Sequence, residues 1–291
     1  MSLPKESRPP EVLNPRKIVV FTDADGTLID HKTYSFDSAK PALSEAKVAG
    51  VPIHIVTSKT FAEVEALEER LGILGNAPFS VENGSANYIP KDYFPFDIRA
   101  VLPQAHIESR GSYNAVIFNK PYAETRAALN TASQAAGVSI HGIGDMSAEE
   151  FAQTTGLLIP DAQRGKKREF QEGFLIRDET DESREAISRE LSDLGFQMVS
   201  GGRFHHVLGG GSKSEAVASM IRLYDKKFGG RALTVGIGDS QNDLEFIQLC
   251  DKGFLVSNPH SISKNMHLEQ VEQVPLEGPA GWNSVVLSLL K

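Results

Sequence analysis

Two aspartates separated by one residue follow a short apolar run near the start of the chain. The run Lys17 to Thr22 reads KIVVFT, and the segment Asp23-Ala24-Asp25-Gly26-Thr27 comes directly after it. Side chains at positions i and i+2 of an extended segment point to the same side, so both carboxylates can reach one ligand. Such a pair can bind a divalent cation, or its members can act as nucleophile and general acid/base.

Gly26 and Thr27 complete this segment. Glycine allows the backbone to turn sharply beside an incoming phosphate. An acidic turn held by Asx hydrogen bonds is the alternative interpretation, and it would be preferred for an isolated Asp-Gly pair. The buried strand predicted before the segment favours a functional site, because open α/β sheets bind their ligands at the carboxyl ends of strands.

The residues around this segment alternate between strand and helix patterns. Lys17 to Thr22 is hydrophobic on both faces, which is typical of a buried parallel strand. Apolar residues from Ala39 to Ala49 recur at helical spacing, and Pro52 to Thr57 forms a second strand. A second helix follows directly, because Thr60 and Glu63 form a capping box.

The same alternation resumes in the last third of the chain. Ser214 is predicted to cap a helix, and Ala232 to Gly238 reads as another buried strand. A further helix carries Leu244 and Ile247, and the strand Gly253 to Ser257 comes after it. The pattern predicts the α/β class with a doubly wound parallel sheet.

The middle of the chain has a different pattern and predicts an inserted α+β domain over residues 93–210. The core is then formed by residues 17–92 and 211–291, and residues 1–16 form a flexible N-terminal arm. The predicted strands of the insertion are Ala115 to Phe118, Phe174 to Ile176, Phe196 to Val199 and Phe204 to Leu208, and its helices are Ala123 to Ala136, Ser147 to Thr155 and Ser183 to Leu194.

Composition excludes several classes of partner. Thirty lysines and arginines against thirty-eight acids leave a net charge of −8, so the chain has no basic field for nucleic acid or an anionic membrane. Cys250 is the one cysteine, so an intrachain disulfide and a cysteine-based zinc site are excluded. No run of eighteen apolar residues occurs, and we expect a cytoplasmic protein.

The segment FTDADGT around Asp23 and Asp25 resembles the first motif of the haloacid dehalogenase superfamily. This resemblance implies three more sites in a fixed order: a hydroxyl residue ending the second strand, a lysine starting a late helix, and an acidic motif after a later strand. Thr57, Lys213 and the stretch Gly238 to Asp243 occupy these positions. Taken singly, each has an ordinary explanation as a helix cap, a solvated lysine or an acidic helix start.

The resemblance also implies a mechanism. Asp23 would attack phosphorus and form an aspartyl-phosphate, and Asp25 would protonate the leaving alkoxide and then activate water. Mg²⁺ would be held by the Asp23 carboxylate, the Asp25 carbonyl and Asp239, while Asp243 would hold a metal-bound water or pair with Lys213. Superfamily members that cleave carbon–halogen bonds do not use an acid in the role of Asp25, so this chain is expected to act on phosphate.

Longer segments resemble one family of this superfamily, the mannosyl-3-phosphoglycerate phosphatases. They are DADGTLIDHKTYSF, TSKT at 57–60, ENG at 82–84 with Tyr88-Ile89-Pro90, the stretch 168–174, GGRFHHVLGG at 201–210 and GPAGW at 278–282. The family usually has Ser-Glu-Pro after an arginine in the cap domain, whereas this chain has Gln171, Glu172 and Gly173. That departure leaves the choice between mannosyl and glucosyl substrates open.

A glycosyl phosphoglycerate needs a cation for its carboxylate and hydrogen-bond donors for its hydroxyls. Arg168 is the first candidate for the carboxylate and Arg203 the second, although a run of basic residues around Arg168 is also typical of a solvated face. His205 and His206 are interpreted as packing residues rather than metal ligands, because neighbouring strand residues face opposite sides. The other predicted substrate-binding residues are Gly26, Thr27, Ser58, Lys59, Asn83 and Asn242.

The sequence therefore predicts an Mg²⁺-dependent phosphatase of 2-O-mannosyl-3-phosphoglycerate, with the glucosyl compound as a further substrate. Two alternatives within enzymes are a sucrose-phosphate-like sugar phosphatase and a phosphosugar mutase. A non-catalytic metabolite-binding protein on the same scaffold is the alternative of another class. The intact pair Asp23 and Asp25 argues against this last alternative.

Overall fold

The structure is a computed structural model that describes residues 17–201, 203–259 and 270–291. Its strands are β1 (Ile18–Thr22), β2 (Ile53–Ile55), β3 (Phe79–Val81), β4 (Ala86–Pro90), β5 (His106–Arg110), β6 (Tyr113–Ile117), β7 (Ile140–Gly142), β8 (Glu172–Ile176), β9 (Gln197–Gly201), β10 (Phe204–Leu208), β11 (Leu233–Gly238), β12 (Lys252–Ser257) and β13 (Val271–Glu277). Its helices are α1 (Lys40–Ala49), α2 (Phe61–Leu71), α3 (Tyr122–Ala136), α4 (Ala148–Thr155), α5 (Ile159–Gly165), α6 (Asp181–Asp193), α7 (Lys213–Lys227), α8 (Leu244–Leu249) and α9 (Gly278–Leu289).

The central sheet has five parallel strands in the order β13-β12-β11-β1-β2. All five residues of β1 are buried, and they alternate between two hydrophobic clusters. Ile18 and Val20 pack with α1, α2 and α9, while Val19 and Phe21 pack with α7 and α8. Helices therefore cover both faces of the sheet, and the predicted α/β class with a doubly wound parallel sheet is confirmed.

A four-stranded antiparallel sheet in the order β3-β4-β6-β5 continues from the central one. An isolated parallel bridge between Val56 and Ser80 joins the two. Neighbouring residues of β4 pack in different hydrophobic clusters. Tyr88 belongs to the cluster of Ile18 and Val20, and Ile89 belongs to the cluster of Val19 and Phe21. The predicted strand at Ala115 to Phe118 therefore packs with the core, although it was assigned to the insertion that begins at residue 93.

The third sheet is antiparallel, in the order β7-β8-β10-β9. Val207 of β10 packs with α3 and α6, whereas Phe204 packs with α4 and α5. Two connections join this unit to the core, and they lie side by side: a Cβ at Gly210 would lie 2.7 Å from the carbonyl oxygen of Phe118. We propose that the inserted domain begins after Phe118 and ends near Gly210.

Helix starts agree with the predictions at two positions and differ at a third. The capping box predicted at Thr60 is present, and the helix predicted from Ser147 is capped by that residue in a second capping box. Ser214, in contrast, lies inside α7, and Ser212 caps that helix by accepting a hydrogen bond from the Glu215 amide at 3.1 Å. The reason is that Ser212 has an extended backbone, as a cap requires, and this makes Lys213 the first helical residue.

The predicted N-terminal arm, residues 1–16, lies outside the described residues. Within the ranges that the structure covers, every helix is too short or too polar to span a lipid bilayer.

The buried Glu68 of α2 makes the stability of the core depend on pH. Its side chain is fully buried, and burial raises its pKa from 4.5 to about 8. The unfolded chain loses this proton at lower pH than the folded chain, so stability falls as the pH rises from about 4.5 to about 8.

We expect Glu68→Gln to raise the melting temperature by about 2–4 °C at pH 8 and to have progressively less effect toward pH 5. Thermal unfolding followed by circular dichroism measures both values. Glu69→Gln, at an exposed position of the same helix, is the control and should change neither. A gain of equal size at pH 5 and pH 8 would show that the Glu68 charge is not responsible.

Candidate active site

Three buried aspartates meet at the carboxyl edge of the central sheet. Asp23 follows β1, and Asp239 and Asp243 follow β11, its neighbour in the sheet. Oxygens of all three carboxylates lie within 4.8 Å of one another. Burial raises the pKa of Asp23 to about 7, and burial together with the charge of Asp243 raises the pKa of Asp239 well above its usual range.

This cluster fits a divalent cation. Buried carboxylates so close together are unfavourable unless positive charge offsets them, and Mg²⁺ prefers oxygen ligands. Glycine at position 26 lets the backbone after Asp25 lie against the Asp239 carboxylate, because a Cβ there would lie 2.6 Å from Asp239 Oδ2. The backbone at Gly26 has φ +82°, so the turn predicted from its residue type is present.

Lys213 supplies part of the positive charge. Its ammonium nitrogen lies 2.8 Å from Asp23 Oδ1 and 2.7 Å from Asp243 Oδ1. Burial alone would lower the pKa of Lys213, but the charges of Asp23 and Asp243 outweigh burial and hold the pKa above its usual value. Asp243 also accepts hydrogen bonds from the amides of Asp239 and Ser240, each at 3.2 Å, so it fixes the loop after β11.

The Asp25 carboxylate forms an ion pair with a different lysine, Lys59. Its Oδ2 lies 2.8 Å from the ammonium nitrogen of Lys59, and within the described part of the chain its buried Oδ1 has no hydrogen-bond partner. The nitrogen of Lys59 also lies 5.5 Å from the centre of the Tyr34 ring. Asp25 is therefore separated from the cluster of Asp23, Asp239 and Asp243 and is held by a lysine of its own.

A cleft of about 510 Å³ lies above these groups, between the core and the third sheet. Its upper wall is partly apolar, with Ile143, Phe151, Leu157 and Phe204. Ten of the predicted site residues line the cleft: Asp23, Asp25, Ser58, Lys59, Asn83, Arg168, Arg203, Lys213, Asp239 and Asn242.

The four other predicted residues lie beneath the cleft surface. They are Gly26, Thr27, Thr57 and Asp243. The hydroxyl of Thr27 donates to Asp239 Oδ1 at 3.3 Å, and the hydroxyl of Thr57 accepts from the Lys59 amide at 3.3 Å. Both threonines thus hold loops that carry cleft residues.

The two arginine candidates differ in their surroundings. The side chain of Arg168 is 6% exposed, its Nη1 lies 3.9 Å from Glu82 Oε2, and no described residue accepts a hydrogen bond from its buried Nε. Arg203 is exposed, and its Nη1 donates to the carbonyl of Thr154 at 2.9 Å. Arg168 is therefore the better positioned group for an anion in the cleft.

Comparisons with known proteins agree with this geometry. A family model described as haloacid dehalogenase-like hydrolase matches residues 20–101. A glucosyl-3-phosphoglycerate/mannosyl-3-phosphoglycerate phosphatase of Methanococcoides burtonii is 34% identical over 275 residues, which cover 94% of this chain and 97% of that protein. The phosphatase of the same name from Persephonella marina is 36% identical over 276 residues, with coverage of 94% and 97%.

The chain belongs to this phosphatase family. The family predicted from the motifs is confirmed, and its members are phosphoric monoester hydrolases by name. Two solved structures are similar in fold. A Thermoplasma acidophilum protein has a TM-score of 0.63 at 18% identity, covering 94% of this chain and 98% of that one. The sucrose-phosphatase of Synechocystis has a TM-score of 0.60 at 10% identity, with the same coverage.

Sequence reasoning missed the position of His206 in this family member. His206 lines the cleft and is 7% exposed, and its Nδ1 has no hydrogen-bond partner among residues 17–201, 203–259 and 270–291. Burial lowers its pKa to about 3, so the ring is neutral. His205 faces the other side, where it contacts Ser200 and Glu179 at 2.7 and 3.1 Å. The alternation of β10 is compatible with this position, because His206 lies two residues after Phe204, which also lines the cleft.

Asn258 was also missed. Its side-chain amide donates to Asp239 Oδ2, and it lines the cleft just after β12. The signal was its place at the carboxyl end of a parallel strand, where the other site residues lie.

The aspartate cluster leads to a prediction about stability. In the absence of a divalent cation we expect Asp239→Asn to raise the melting temperature, because it removes one of three crowded carboxylates. Millimolar Mg²⁺ should raise the melting temperature of the parent chain and have little effect on Asp239→Asn. Thermal unfolding with EDTA and with Mg²⁺ measures both effects.

The exposed Asp193, at the end of α6, gives the control Asp193→Asn, which should respond to Mg²⁺ as the parent chain does. A parent chain with the same melting temperature in EDTA and in Mg²⁺ would contradict the assignment of a cation site.

Proposed function

We propose that this chain is an Mg²⁺-dependent phosphatase that converts 2-O-mannosyl-3-phosphoglycerate to mannosylglycerate and phosphate, and that it also accepts the glucosyl compound. The observation that carries the proposal is the contact of Lys213 with Asp23 at the floor of a cleft that Arg168 also lines. Such a cleft offers a nucleophile for phosphorus and a cation for a second anionic group of the same substrate. The names of the two relatives support the same substrate.

In the first step, an oxygen of Asp23 forms a bond to phosphorus and the bond from phosphorus to the glycerate oxygen breaks. Asp25 transfers its proton to that leaving oxygen. In the second step, Asp25 takes a proton from water, the water oxygen bonds to phosphorus, and the bond from Asp23 to phosphorus breaks. Among the residues that the structure covers, none forms a hydrogen bond with Asp25 Oδ1, and this oxygen is the one assigned to proton transfer.

Positive charge near phosphorus is the second requirement. Asp23 and Asp239, with the backbone carbonyl of Asp25, would hold Mg²⁺, and Asp243 would remain paired with Lys213. When bound, the ion supplies charge that offsets that of the transferring phosphoryl group. Lys213 adds a second positive charge and restrains Asp23 in the orientation for attack.

Arg168 is assigned to the carboxylate of the glycerate group, with Arg203 as the second candidate. The inserted domain thus provides substrate selection, while the core provides the chemistry. The two departures from Ser-Glu-Pro differ in position. A Cβ at Gly173 would lie 2.5 Å from Ile143, which lines the cleft. Gln171 is buried, accepts from Asn83 at 2.9 Å, and donates to the Ser58 carbonyl at 3.2 Å. Gln171 therefore joins the insertion to the core.

A substrate panel tests the proposal. We expect release of phosphate from mannosyl- and glucosyl-3-phosphoglycerate in the presence of Mg²⁺, and kcat/KM for hexose phosphates at least about tenfold lower. Asp23→Asn should lower kcat by about a thousandfold or more, since it removes the nucleophile, and Asp193→Asn should leave kcat unchanged.

Equal rates on every phosphate ester would exclude the narrow substrate class. Turnover to an isomeric phosphate, dependent on a bisphosphate activator, would instead indicate a mutase. Tight binding without turnover would indicate a metabolite-binding protein.

Arg168 gives a prediction on substrate affinity. Arg168→Gln should raise the KM for mannosyl-3-phosphoglycerate by about tenfold to a hundredfold, because a buried charge-assisted hydrogen bond is lost, and should change kcat less. Steady-state kinetics measure both constants. Arg164→Gln, four residues earlier and paired with Asp161, is the matched control and should leave KM unchanged. An unchanged KM in Arg168→Gln would transfer the carboxylate role to another group.

A further inference from the structure

Glu82 belongs to the core, but its side chain binds backbone amides of the inserted domain. It follows β3 directly and is completely buried. Its Oε1 accepts a hydrogen bond from the Glu169 amide at 2.8 Å, and its Oε2 accepts from the amides of Phe170 and Gln171 at 3.1 and 2.8 Å. One carboxylate thus binds three consecutive backbone N–H groups across the boundary between the two domains.

The turn that carries Glu82 has an unfavourable backbone. Glu82 and Asn83 have φ values of +48° and +56°, in the left-handed region that residues with a side chain rarely adopt. The amides of Glu82 and Asn83 donate to the carbonyls of Lys59 and Thr57, both at 2.9 Å. The turn is therefore held in this strained form by the loop that carries Ser58 and Lys59.

The other side of the turn contacts the start of α7. A Cβ at Gly84 would lie 2.1 Å from the carbonyl oxygen of Ser212, so the glycine allows direct contact between the two backbones. Ser212 caps the helix that begins at Lys213. The turn at residues 82–84 thus lies between the catalytic lysine, the loop 57–59 and the segment 168–171.

Residues 168–171 are distant in sequence from both connections between the domains, which lie near Phe118 and Gly210. Asn83 donates to the Gln171 side chain at 2.9 Å, beside the three hydrogen bonds of the Glu82 carboxylate. Arg168 comes immediately before the bound amides, and its Nη1 lies 3.9 Å from Glu82 Oε2. The location of Arg168 in the cleft therefore depends on where this segment is held.

We propose that Glu82 is a positioning residue that holds the segment 168–171 against the core and thereby places Arg168 at the cleft. Glu82 itself does not line the cleft, so it acts through Arg168 and not on the substrate. The part of this inference that concerns substrate selection rests on the proposed function.

Glu82→Gln and Glu82→Ala provide a graded test. Glutamine keeps one oxygen acceptor but presents an NH₂ group to an amide that needs an acceptor, and alanine removes both oxygens. We expect the ratio of kcat/KM for mannosyl-3-phosphoglycerate to kcat/KM for a small aryl phosphate to fall about tenfold in Glu82→Gln and further in Glu82→Ala. The aryl phosphate has neither a carboxylate for Arg168 nor a sugar.

Glu69→Gln is the matched control. Glu69 is exposed on α2, outside the segment 168–171, so this variant should leave the ratio within about twofold of the parent value. A purely structural role of Glu82 would lower both kcat/KM values equally and leave the ratio unchanged. That result, or no change in either value, would overturn the proposal.

Hydrogen exchange measured by mass spectrometry adds a test that needs no substrate. We expect the amides of Glu169, Phe170 and Gln171 to exchange at least about tenfold faster in Glu82→Ala, because they lose both acceptor oxygens, and at the parent rate in Glu69→Gln. Unchanged protection in Glu82→Ala would overturn the proposal. If the parent chain does not hydrolyse glycosyl phosphoglycerates but exchange still accelerates, the proposed function fails and the positioning role remains.

Discussion

Charge balance among buried groups at the carboxyl edge of the central sheet is the constraint on which the site depends. Asp23, Asp239 and Asp243 are crowded there, and the ammonium of Lys213 contacts two of them. Parallel pairing of β1 with β11 brings the aspartates together, and the cap at Ser212 sets the first helical position at Lys213. Small residues make the contacts possible: a Cβ at Gly238 would lie 2.5 Å from the Cβ of Asp243.

The inserted domain completes a cleft that the core alone would leave open. It contributes an apolar wall together with Arg168, Arg203 and His206, whereas the core contributes the carboxylates and lysines. Under the proposed function, the core residues carry out phosphoryl transfer and the residues of the insertion select the ester that is cleaved. The turn at Glu82 connects the two sets, because it contacts the start of α7 and the backbone that follows Arg168.

The central sheet could be predicted because its strands are buried runs separated by amphipathic helices, and the motif residues follow those strands directly. The partner of the strand at Tyr113–Ile117 could not be predicted, because the alternation of that strand says nothing about its pairing with β4. Lys59 was placed near the site, but its pairing with Asp25 depends on the fold. The positioning role proposed for Glu82 could not be predicted either, since its partners are backbone amides more than eighty residues away in the sequence.

The central claim is that Asp23 is the group that bonds to phosphorus while Lys213 restrains it. A crystal structure with Mg²⁺ and beryllofluoride, which mimics a phosphoryl group on a carboxylate, tests this claim most directly. The account predicts beryllium bonded to Asp23, with the ammonium of Lys213 within hydrogen-bond distance and the ion between Asp23 and Asp239. An unmodified Asp23, with beryllofluoride bound elsewhere or absent, would contradict it.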